Sequence, residues 1–80
     1  MENIKPDKTI DLYGLICPLP IAETSRHIKT MEVGQILEVI ATDKGVKTDF
    51  PVWCEKMGHQ LLGIEQDSEG VYHIFIKKLK

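Results

Sequence analysis

The chain is short of cysteine, of charge of one sign and of long apolar runs, and each shortage removes a class of protein. Two cysteines in 80 residues are too few for a disulfide framework of the kind that staples small secreted domains. Nor are they spaced as zinc ligands. The sequence contains no Cys-x2-Cys and no His-x3-His pair, and the one Cys-x4-His spacing, Cys54 to His59, crosses a predicted helix end, so no metal site is expected. No apolar stretch approaches the roughly 20 residues that span a bilayer, so membrane association is not expected. The formal net charge is only −2, whereas domains that bind nucleic acid through its phosphates are strongly basic; direct nucleic-acid binding is not expected. Residues Met1 to Lys8 are polar and include Pro6, without the apolar segment of a secretory signal. The expectation is a cytoplasmic, reduced protein, monomeric by default.

What is present is one domain's worth of alternating pattern over residues 1–80, with 1–8 read as a flexible tail. At this size about 60–65% of the unfolded surface is buried on folding, which leaves little room for an enclosed active site. Thr9 to Tyr13 alternates, with Ile10 and Leu12 on one face, as a half-buried strand does. A helix follows to about Met31, with Ile21, Ala22, Ser25 and Ile28 on its apolar face and Glu23, Arg26, His27 and Thr30 outward. Gln35 to Thr42 is nearly continuously apolar, which suits a strand near the middle of a sheet, with Glu38 marking a partly wet face. The second helix carries a stripe of Val46, Phe50, Trp53 and Met57. Pro51 would break a helix interior, so regular helix is expected from Asp49, acting as cap, after an irregular turn from Val46. Gly58 ends it. Strands at 59–67 and 71–77 flank a hairpin loop at Asp67-Ser68-Glu69-Gly70. The order is β-α-β-α-β-β. The expected fold is an α/β two-layer sandwich of the α+β kind, a four-stranded mixed sheet with two helices on one face.

The chemistry concentrates in Gly14-Leu15-Ile16-Cys17-Pro18-Leu19-Pro20. Proline is favoured at the first helical position, where its fixed φ suits the helix and its missing N–H is not needed. That makes Pro18 the expected first helical residue and Cys17 its cap. A cysteine there lies at the positive end of the helix dipole, which favours thiolate over thiol, and the N–H groups of Leu19 and Ile21 are free to face the sulfur. The competing reading is a small buried hydrophobe, the commonest fate of a free cysteine. A Cys-His hydrolase needs a histidine held within hydrogen-bond reach. His27 lies about 15 Å along the helix, and nothing directs His59 or His73 at Cys17. A lone exposed thiol therefore suits a nucleophile that takes up a group and passes it on. Cys54 reads first as a buried small hydrophobe on the second helix. A resolving thiol for Cys17 is the alternative, and it requires the two Cα atoms to approach within about 7 Å. Asp11 reads as a brace for the loop before Cys17, Asp43 as a turn residue, and Trp53 as core.

Asp11-Leu12-x-Gly14-x-x-Cys17-Pro18-x-Pro20 resembles the signature of the TusA/SirA/YedF-type sulfur-carrier family, with its Cys-Pro-x-Pro motif. The likeness extends to length, element order, Asp43 after the second strand, Asp49 opening the second helix, and Gly58-His59 before the third strand. It implies a mixed sheet like that of the C-terminal domain of translation initiation factor three. It implies a sulfurtransferase-type carrier, needing no cofactor, that bears a persulfide on Cys17. Asp11, Gly14, Pro18 and Pro20 would support the motif and Asp43 would contact a basic partner. The donor would be a cysteine desulfurase or rhodanese-like protein and the acceptor another carrier or a modifying enzyme. Tyr13, Ser25 and Thr48 depart from the family pattern. The last two fall where the tRNA-thiolating carrier has arginines, which weakens assignment to that pathway. Two rivals remain: a protein- or RNA-binding regulatory module with a structural Cys17, and a thiol redox protein pairing Cys17 with Cys54.

Overall fold

The computed structural model describes residues 4–80. Its elements are β1 (Lys8–Leu12), α1 (Leu19–Ile28), β2 (Ile36–Ala41), α2 (Val46–Met57), β3 (Gln60–Gln66) and β4 (Tyr72–Lys77). They form one four-stranded sheet in the order β1-β2-β4-β3. β1 pairs with β2 in parallel, while β2–β4 and β3–β4 are antiparallel. The sheet is mixed, as the β-α-β-α-β-β order predicts. Of the tail expected at 1–8, residues 1–3 lie outside the described residues. Lys8 already belongs to β1, and Asp7 is tied to the start of β2: its N–H donates to Ile36 O and its Oδ2 accepts the Ile36 N–H, each at 2.8 Å. Among the described residues no helix is long and apolar enough to cross a membrane.

The core lies between one sheet face and the helices. Leu37, Val39 and Ala41 of β2 and Tyr72, Ile74 and Ile76 of β4 are buried by period-2 alternation. Ile10 and Leu12 join them from β1, and Ile28, Val46, Phe50, Trp53 and Cys54 from the helices. Phe50 and Trp53 meet edge to face, ring centroids 6.1 Å apart. β2 occupies the middle of the sheet, as its apolar run predicts, and Glu38 lies on the face that no helix covers.

Both helices differ from expectation in ways that matter downstream. α1 begins at Leu19 and not at Pro18, which has φ −97° and ψ 14° and serves as the cap position. A tight turn closed by the Leu19 N–H on Ile16 O, 2.9 Å, precedes the helix. α1 ends at Ile28 and not Met31, because the Thr30 and Met31 N–H groups bond three residues back, to His27 O and Ile28 O, which tightens the chain out of α-helical geometry. Its buried face is Pro20, Thr24 and Ile28, at i, i+4 and i+8, and Ala22 is exposed. Burial of Pro20 turns the face away from the one its apolar residues suggest. α2 starts at Val46, ahead of Asp49, and keeps Pro51 inside it. The irregularity expected there takes the form of i→i−3 bonds from Val46, Lys47 and Thr48. Met57 is exposed and Cys54 takes its place in the buried stripe.

On the uncovered face, His73 of β4 bridges two carboxylates: Nδ1 lies 2.8 Å from Glu38 Oε2 and Nε2 lies 3.1 Å from Asp67 Oδ2. These bonds raise the His73 pKa above 6.5, Glu38 contributing most. A raised folded-state pKa means that protonation stabilises the fold. The contribution is complete below pH 6.5 and is lost as pH rises through the folded value. His73→Gln is therefore expected to destabilise the chain below pH 6.5 and to do so less at alkaline pH, as read by urea midpoints across pH. Thr24 is fully buried and its Oγ1 has no hydrogen-bond partner. Thr24→Val, which keeps the shape and removes the unpaired hydroxyl, is expected to raise stability by about 1 kcal/mol, checked by the same denaturation.

Candidate functional site

β1 and β2 are parallel neighbours, so their C-terminal ends meet at one edge of the sheet, and each runs directly into a helix. The loop entering α1 and the turn entering α2 are thereby side by side. Polar bonds fasten them. Gly14, with φ +82°, turns the chain out of β1, and its N–H donates to Thr42 Oγ1 at 3.0 Å. A left-handed φ of this kind suits glycine because it has no Cβ. Asp11 Oδ1 accepts the Tyr13 N–H at 3.0 Å, an Asx turn that braces the exit from β1. The Cys17 N–H donates to Asp43 Oδ2 at 3.0 Å, and the Cys17 Sγ–H donates to Asp49 Oδ2 at 2.8 Å. The Cys17–Pro18 peptide is cis.

The two carboxylates converge because Gly45 lies between them. A β-carbon there would stand 3.0 Å from Asp43 Oδ2 and 3.5 Å from Asp49 Oδ2. Cys17 is exposed. Beside it an open groove of about 330 Å³ is lined by Pro18, Ile21, Val52 and Trp53, with Asp49 and Lys56 also on its wall. The loop that carries Cys17 also exposes apolar side chains: Tyr13 and Ile16, each 68% accessible, with Leu19 at 48%.

The electrostatics reverse the sequence expectation. The Cys17 thiol is raised above its ordinary 9.0, first by its hydrogen bond to Asp49, then by desolvation and by the charges of Asp49 and Asp43. A dipole end carries about half a charge and acts within one turn. Two carboxylates in direct contact outweigh it and favour the neutral thiol. Of the two amides expected to face the sulfur, that of Leu19 is spent on Ile16 O.

Cys54 is 3% exposed on α2, and burial pushes its thiol up to about 11. Both cysteines are free. Trp53, read from sequence as core, is buried and also walls the groove. The histidines bond elsewhere: His59 stacks near Trp53, centroids 5.6 Å apart, and its Nδ1 accepts the Leu79 N–H, while His27 sits beside Arg26. Among the described residues no cluster of three or more His, Cys, Asp or Glu could hold a metal. Asp49, which the sequence places as a helix cap, is the residue that accepts the Cys17 thiol hydrogen bond. Its position in the first turn of the second helix is a signal that becomes legible once the two helix starts are known to be neighbours.

The family profile described as Sulfurtransferase TusA matches residues 8–78. The chain belongs to the TusA sulfurtransferase family. Sulfur carrier protein TusA of Pseudomonas entomophila (strain L48) is 38% identical over 78 residues, covering 98% of this chain and 96% of that protein. An Aquifex aeolicus (strain VF5) protein whose name proposes a sulfur carrier is 46% identical over 78 residues, and there the chain spans only 39% of the relative's length. The fold is that of a SirA-like protein from Desulfitobacterium hafniense, with a TM-score of 0.78, 23% identity and coverage of 91% of this chain and 99% of that one. A sulfur-carrier role follows from the family membership.

The contrast between the cysteines is directly measurable. Iodoacetamide is expected to modify Cys17 alone in the native chain and Cys54 only after denaturation, as read by peptide mass mapping. Native modification of Cys54 at a comparable rate would contradict the burial described here.

Proposed function

We propose that the chain carries sulfur as a persulfide on Cys17, taken from a cysteine desulfurase or a rhodanese-like protein and delivered to a downstream acceptor protein in the cytoplasm. The observation that carries this reading is the exposed Cys17 sulfur at the head of α1 beside an apolar groove. A partner's active site can reach the sulfur there without opening the fold.

The chemistry balances without a further oxidant or reductant. The Cys17 sulfur attacks the outer sulfur of a donor persulfide, R–S–SH. A new bond forms from Cys17 Sγ to that sulfur, the donor's S–S bond breaks, and R–S⁻ leaves and takes up the proton given up by Cys17. Delivery repeats the exchange with Cys17 as the leaving thiolate. Pro18 and Pro20 stiffen the mount, Gly14 and Asp11 set the turn before it, and Asp43 holds the Cys17 amide while facing the partner. Cys17 works alone in this reading, because Cys54 is buried with a raised pKa, unlike the accessible, low-pKa thiols of redox pairs. The protein acts as a monomer.

Intact-mass spectrometry after incubation with a cysteine desulfurase and cysteine, without reductant, is expected to show a gain of about 32 Da, one sulfur atom. The gain should map to Cys17, disappear with reductant and be absent from Cys17→Ser. Uptake retained in Cys17→Ser, or no uptake from desulfurases and rhodaneses by a chain whose Cys17 alkylates readily, would overturn the proposal.

A further inference from the structure

A carrier thiol bonded to a carboxylate is poorly set up to attack anything, and the site's layout suggests what changes that. Asp49 Oδ2 accepts the Cys17 Sγ–H and Asp43 Oδ2 accepts its N–H. Among the described residues the charged groups that face Cys17 are these two, from α2 and from the turn before it, together with Lys56 on the wall of the groove; α1 has no acidic residue in its first turn. Val52 lines the groove beside this acidic centre, and Ile16 and Leu19, one and two residues from Cys17 in the chain, are exposed apolar residues. An incoming persulfide anion meets like charge at this centre.

Resting on the reading that Cys17 bears the sulfur, we propose that Asp49 is a latch that keeps the undocked carrier in its thiol form, opened when a cationic group beside the partner's reactive cysteine pairs with the Asp43 and Asp49 carboxylates. The raised thiol pKa accords with the closed state. On opening, the carboxylates no longer favour the neutral thiol, the Cys17 proton passes to the departing donor thiolate, and the sulfur exchange described above proceeds with no other reactant. The partner is defined by complementarity: an apolar collar for Ile16, Leu19 and Val52, and a lysine or arginine at its centre. A small thiol or an acidic protein surface lacks that cation and leaves the latch shut. Asp49 acts through Cys17 and is a positioning residue.

The test reads thiol reactivity of the whole chain with two methanethiosulfonate reagents, one bearing a quaternary ammonium group and one a sulfonate. Each forms a disulfide with the Cys17 thiolate and releases a sulfinate, so the rate follows both thiolate content and local charge. The wild type is expected to show a cationic-to-anionic rate ratio several-fold larger than the ratio the same two reagents show with a free small thiol. Asp49→Asn is expected to react several-fold faster than wild type at neutral pH, with its rate profile moved to lower pH and the cation preference reduced. Asp43→Asn should reduce the preference with a smaller move of the profile. An unchanged profile in a folded Asp49→Asn overturns the latch, and a wild-type rate ratio no larger than that of a free small thiol overturns its opening by a cation. The wild-type comparison requires no substitution and decides the matter if Asp49→Asn does not fold. Desulfurase-driven sulfur uptake, measured alongside, separates the two proposals. Uptake without reagent preference keeps the carrier and removes the latch. Preference without uptake keeps the electrostatics and removes the carrier.

Discussion

The parallel pairing of β1 with β2 is the constraint from which the site follows. Two adjacent parallel strands point their C-terminal ends the same way, and each here feeds a helix, so two helix starts must share one edge of the sheet. That juxtaposition alone brings Asp43 and Asp49 to Cys17 across more than 25 residues of sequence. An antiparallel pairing of the same strands would put the two helix starts at opposite ends. The burial of Leu37, Val39 and Ala41 against β4 and the helices fixes the β2 register, and that register holds Thr42 and Asp43 level with the loop of Gly14 to Cys17.

At that edge two electrostatic effects compete for one sulfur. The helix dipole favours thiolate, and the carboxylates favour thiol. The carboxylates prevail because they touch the amide and the sulfur of the same residue, whereas the dipole is a partial charge and the Leu19 amide is spent on Ile16 O. For a carrier, a closed thiol has a use: sulfur chemistry is confined to encounters that supply the opposite charge. Cys54 illustrates the contrasting case, a thiol suppressed by burial with no route for a partner to reverse it.

The likeness to sulfur carriers is distributed over residues 8–78, while the chain corresponds to only part of some relatives. The groove walled by Ile21, Val52 and Trp53 shows how one helix pair serves core and surface together: Trp53 packs on Phe50 inside while its edge lines the groove outside.

The elements were legible because they rest on local causes. Alternation marks β1 and β4, the nearly continuous apolar run marks β2 as central, Gly58 stops α2, and Cys17 stands out as an exposed thiol between a strand end and a helix start. Their bounds were less so. Pro18 was read as helical and is a cap, since the turn closed by Ile16 O and the Leu19 N–H is invisible in composition. α2 accommodates Pro51 because packing of Val46, Phe50, Trp53 and Cys54 outweighs one missing hydrogen bond. The sequence by itself determined which sulfur is presented and on what kind of frame. Only the tertiary structure decided that sulfur's protonation, because pKa depends on charges within a few ångströms, and those charges come from another helix.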